Sequence, residues 1–71
     1  MEFLLVRFED DRRLVVNGRP QGRTNIVIEL EKGTHVISLA TPPEDFTPEK
    51  IKIVLENTTV ISPKEVCFDK K

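Results

Sequence analysis

The residues with the most obvious chemical reach lie between Asn17 and Thr24, in Asn17-Gly18-Arg19-Pro20-Gln21-Gly22-Arg23-Thr24. Two guanidiniums beside glycine-exposed backbone can pair with a carboxylate, a phosphate or a sugar acid, because each presents a planar fork of donors. Asn17, Arg19, Arg23 and Thr24 are therefore the candidate ligand-binding residues; the plainer reading is a solvated polar loop. His35 is the sole histidine and Cys67 the sole cysteine. General acid–base or nucleophilic chemistry needs such a group beside a partner. The two are far apart in the chain, and each reads more simply as a strand residue. Glu9-Asp10-Asp11 is a short acidic run, but a calcium loop draws on more, regularly spaced oxygens. Asn57-Thr58-Thr59 is a formal glycosylation sequon that reads as chance in a chain without an export signal. Gly18 and Gly22 follow a strand pattern with no helix opening after them, so they do not form a phosphate loop. No catalytic set, metal site or cofactor is expected.

The elements that must carry these residues are short strands. Leu14-Val15-Val16 is aliphatic, and Asn17-Gly18 is a strong turn signal because both residues tolerate positive φ. Arg19 to Gly22 extends the connection beyond a two-residue loop, with Pro20 in the loop or at a strand edge. Ile26, Ile28 and Leu30 alternate with Val27 and Glu29, which places the first three on one face. After the turn Glu31-Lys32-Gly33-Thr34, Val36-Ile37-Ser38-Leu39 forms the next strand. Two successive strands joined by a short polar turn are expected to pair as an antiparallel hairpin.

This central stretch resembles the PEGA domain family. Val16-Asn17-Gly18-Arg19-Pro20-Gln21-Gly22-Arg23-Thr24 is similar to its V-x-x-G-x-x-x-G-x-T-P core. Gly33-Thr34-His35-Val36-Ile37-Ser38-Leu39 is similar to its later glycine turn and strand. Asn25 stands where the family often has Pro, and Thr41-Pro42-Pro43-Glu44-Asp45-Phe46 replaces its P-G-[YF] element. The resemblance implies a small β-sandwich module of the kind found in larger cell-surface and signalling proteins, and through that a cell-wall or surface polysaccharide as a target for the Asn17–Thr24 loop.

Outside that stretch, Leu4, Val6 and Phe8 share one face of a first strand, and Arg7 falls on the other. Three prolines between residues 42 and 48 exclude a strand or helix interior there. Phe46 is expected to fold back onto the core from this loop. Ile51, Ile53 and Leu55 alternate with Lys50, Lys52 and Val54, which favours a strand over the helix start at Thr47-Pro48. Glu65 to Phe68 reads as a last edge strand or, with Ser62-Pro63, as one helical turn.

The 71 residues make one domain, with a formal charge of −1, 38% hydrophobic and 32% charged residues, which fits a folded globular chain. All five arginines precede residue 24, but Glu2, Glu9, Asp10 and Asp11 offset them, so nucleic-acid affinity is not indicated. The aromatics are four Phe beside aliphatics, needed for the core rather than for stacking. One cysteine excludes an intrachain disulfide. No apolar run approaches the ~20 residues of a membrane span, and Met1 to Phe8 lacks the features of a signal peptide. The expectation is therefore an all-β protein, cytoplasmic as written and at the surface only as part of a longer exported chain, folded as an antiparallel sandwich of about six to seven short strands. It would be non-catalytic and would engage a protein partner or a second copy through an edge strand, either terminal strand serving.

Overall fold

The alternation of apolar and polar side chains is built into two facing sheets. The computed structural model describes residues 1–71. It contains β1 (Glu2–Arg7), β2 (Arg13–Val16), β3 (Arg19–Arg23), β4 (Ile28–Leu30), β5 (Gly33–Leu39), β6 (Phe46–Thr47), β7 (Ile51–Leu55), β8 (Lys64–Cys67) and β9 (Asp69–Lys70). One sheet has the order β4-β1-β8 and the other β3-β2-β5-β7, while β6 and β9 form a two-stranded ribbon. The chain is all-β, as expected. It has more strands than the sequence pattern suggests, because β3, β6 and β9 carry too few apolar residues to signal themselves.

Inward-facing positions from both sheets fuse into one core of 13 buried side chains. Leu4, Val6 and Phe8 come from β1 and its end, Leu14 and Val16 from β2, Ile37 and Leu39 from β5, Ile53 and Leu55 from β7. Burying such side chains is worth roughly 1.5–3 kcal/mol each, so the period-2 pattern decides which face of each strand turns inward. Phe46 does fold back onto the core, at 2% exposure. It packs edge-to-face against Phe8 and Phe68, at 6.4 and 5.7 Å between ring centroids.

Several connections differ from expectation. Val16 pairs directly with Arg19, so the hairpin loop is only Asn17-Gly18, with φ of 52° and 84°. Two successive positive φ values match the twist of the flanking strands, and Asn-Gly supplies them at little cost. Arg19 to Arg23 is thus strand, not loop. Pro20 sits where its missing N–H is harmless, on the outer strand of the sheet. The pairing slips by one residue between Arg13 and Val15, and Gly22 supplies the positive φ, 81°, of this bulge.

β4 and β5 do not form a hairpin. β4 pairs with β1 and β5 with β2 and β7, so Glu31-Lys32 carries the chain from one sheet across to the other. His35 secures this arch by a 2.7 Å hydrogen bond to the Glu31 carbonyl. Ile26 does not join Ile28 and Leu30; it lies 56% exposed in the preceding turn. The reason lies in Thr24 and Asn25, whose hydrogen bonds to Arg12 and Val6 hold the chain in a turn until residue 27.

β8 runs parallel to β1, with Leu4 opposite Lys64 and Arg7 opposite Cys67. Residues 64–67 are therefore strand rather than a helical turn. The first strand is also not an edge: β4 and β8 flank it.

Candidate functional site

Each residue of the Asn17–Thr24 segment can be followed to its partners. Asn17 is fastened to β5 three times. Its backbone N–H donates to the Val36 carbonyl (2.9 Å), its Oδ1 accepts the Val36 N–H (2.9 Å), and its Nδ2 donates to His35 Nδ1 (3.0 Å). With Nδ1 accepting, Nε2 carries the proton that it donates to Glu31. Both ring nitrogens of His35 are thereby engaged within the fold.

Thr24 is 1% exposed. Its hydroxyl donates to the Asp10 carbonyl (2.8 Å) and accepts the Arg12 N–H (2.9 Å). Arg23 makes a two-pronged contact with Asp11, at 3.0 and 3.2 Å. This bond to Arg23 holds the Asp11 carboxyl below its ordinary range. Arg19 forms no ion pair. Of the four candidates, then, Asn17, Arg23 and Thr24 serve the fold, and Arg19 alone keeps its side chain uncommitted.

Two shallow depressions lie on either side of this hairpin. A groove of about 520 Å³ is lined by Val15, Gly18, Pro20, Ser38, Glu44 and Glu49, among others. A smaller one of about 320 Å³ includes Asn17, Gln21, Glu29, Glu31 and His35. The charged side chains in both linings are carboxylates, which repel an anionic sugar rather than gather it. No group of three or more His, Cys, Asp or Glu side chains is placed to hold a metal ion. Cys67 is exposed on the outer strand β8.

One constellation has no signature in the sequence. Arg12 directly follows the acidic run Glu9-Asp10-Asp11, and its guanidinium is a hub at one end of the sandwich. Nη1 donates to Asp45, and Nη2 donates to the carbonyls of Ala40 and Pro43. The group also lies 5.6 Å from the Phe46 ring centroid. Lys70 bonds both Asp10 and Asp45, and stands 5.7 Å from the Phe8 ring. Lys70, and then Arg12, hold the Asp45 carboxyl below its usual range; Asp10 and Asp45 in turn raise Lys70. Two cations facing two carboxylates balance one another, so the cluster fastens the 41–46 loop and the C-terminal ribbon over the aromatic end of the core. Nothing in the spacing distinguishes Arg12 from Arg13, since the partners lie 28 to 33 residues away.

The remaining resource is open backbone. The two main sheets end on β4, β8, β3 and β7. β7 has β5 as its only strand partner and presents one row of peptide groups outward.

Fold and geometry together define a two-sheet β-sandwich with open edges. Scanned against models of known families the chain matches none, and neither a curated protein nor a solved structure shows significant similarity to it.

Proposed function

We propose that this chain is a non-catalytic β-sandwich module that engages a protein through an exposed sheet edge. The observation that carries the reading is the free edge of β7, a five-residue strand with no proline or glycine. Such an edge offers main-chain donors and acceptors to an incoming strand, with side chains on alternate faces supplying selectivity. The PEGA-like pattern of Val16 to Thr24 and Gly33 to Leu39 supports a module of this kind. The exposed, unpaired thiol of Cys67 is compatible with a reducing compartment such as the cytoplasm.

Polysaccharide binding through the Asn17–Thr24 loop has less support, because three of its four side chains have partners within the fold and the adjoining grooves are acidic. Both readings are tested by immobilising the domain in lysate of the source cells. A defined protein retained equally by wild type and by the Arg19→Ala/Arg23→Ala double variant supports edge docking. Retention of wall polymer alone, lost in the double variant, replaces it with the saccharide reading. A monomer that retains no protein sinks the docking reading.

A further inference from the structure

The edges differ in what they offer an incoming strand. β3 carries Pro20, which lacks an N–H, and the bulge at Gly22. β4 has three residues and β8 four, the latter starting just after Pro63. β7 is the longest uninterrupted one. Its core-side residues are Ile51, Ile53 and Leu55, while Lys50, Lys52, Val54 and Glu56 are exposed, Val54 at 56%.

We propose that β7 pairs antiparallel with β7 of a second copy, around a two-fold axis passing through Ile53. This rests on the reading of the chain as an edge-docking module and names its partner as itself. The register follows from geometry. Residues directly opposite in an antiparallel pair share a face, so core-side residues must meet core-side residues. An axis through Lys52 would set two lysines opposite each other and pair only part of the strand. An axis through Val54 also shortens the overlap. An axis through Ile53 pairs the whole of Ile51–Leu55 and places Ile51 opposite Leu55.

The outer face is self-complementary in that register. Lys50 of each copy lies opposite Glu56 of the other, so the two-fold makes the opposite-charge pair twice. Lys52 lies opposite Val54, and its aliphatic stem covers an exposed valine while the ammonium stays in water. The pairing joins the two four-stranded sheets into one continuous sheet. It closes there, because the far edge of each is β3 with its proline and bulge, and strand addition does not propagate.

The test is sedimentation of the full chain from micromolar concentration to about 1 mM, with circular dichroism confirming that each variant is folded. Wild type is expected to dimerise reversibly. Lys50→Glu and Glu56→Lys each convert both opposite-charge pairs into like-charge pairs, and each should weaken the dimer about tenfold. Mixed in equal amounts, the two variants form a heterodimer in which both pairs are restored, and association should return to wild-type strength. Restoration on mixing supports this register. Single variants that dimerise like wild type overturn it, as does a wild type monomeric at about 1 mM. A monomer that still retains a lysate protein loses the self-pairing while edge docking stands; a monomer that retains none loses both.

Discussion

At Gly22 a single hydrogen atom decides how closely two strands approach. A Cβ built there would lie 2.8 Å from Ile28 Cγ2 and 3.1 Å from its Cδ1, on backbone with φ of +81°. Gly22→Ala therefore meets both backbone strain and a packed side chain, and should destabilise the fold by about 2 kcal/mol in urea unfolding. Gly18 has a similar φ, but a methyl group there would find nothing within 4 Å, so only the strain applies. Thr24 poses the complementary case, a buried hydroxyl with two partners. Thr24→Val keeps the shape but leaves the Arg12 N–H and the Asp10 carbonyl short of a partner, a loss of about 1–3 kcal/mol. Thr24→Ser retains the hydroxyl and should recover most of it; equal stability for both variants would refute this role. Asn25 works in the same manner from the surface. At φ of 64° its amide bonds both the N–H and the carbonyl of Phe8, mimicking a strand residue where β1 ends. The Asn25 side chain is thus a backbone substitute.

Between elements, position matters more than charge. Arg7 and Arg12 each pair with a carboxylate, but Arg7–Glu65 is more than half exposed at both side chains, whereas Arg12 is 12% and Asp45 25% exposed. Exposed pairs gain little over hydration. Arg12 also satisfies two backbone carbonyls and packs on Phe46. Arg12→Met should therefore lower the melting temperature clearly more than Arg7→Met, and should loosen the 41–46 loop, read as faster amide exchange there. Equal effects would show that the loop is held by Phe46 alone. The arch between β4 and β5 illustrates how a connection resembling a hairpin turn can instead change sheets. Glu31-Lys32-Gly33-Thr34 fits either, and the deciding fact is that β1 and β2 both need a neighbour, which β4 and β5 supply separately.

Over the whole molecule, the carboxylates define an acid limit. Thr58 holds Glu2 below its ordinary 4.5 by donating its hydroxyl and backbone N–H, Arg23 does the same for Asp11, and Lys70 and Arg12 for Asp45. Each of these groups binds its proton more weakly when folded than when unfolded. Their contribution is thus fully present above the unfolded values, near 4, and lost as pH falls through the lower folded values. Lys70 has the opposite sign. Its raised value gives stability that is complete below the ordinary 10.5 and lost only at higher pH. Unfolding free energy measured against pH should therefore be level across neutrality and fall below about pH 4. In Asp45→Asn that acid slope should be shallower; an unchanged slope would exclude Asp45 as a source. The radius of gyration is 11.2 Å. Its ends are tied to the body, Glu2 to Thr58 and Lys70 to Asp10 and Asp45.

The amino-acid order by itself determined the all-β class and which face of β1 and β7 turns inward, along with the turn signal at Asn17-Gly18, though not the length of that turn, and the return of Phe46. These follow from local alternation and from residues that tolerate particular φ values, and both are properties of neighbours in the chain. Tertiary structure alone decided that β4 and β5 separate into different sheets, that β8 lies parallel to β1, and that Arg12 rather than Arg13 is the hub. It also decided that Asn17, Arg23 and Thr24 commit their side chains to the fold. Those outcomes depend on partners 12 to 60 residues distant, whose proximity no spacing rule encodes, and on competition for sheet edges, which only the assembled sandwich resolves.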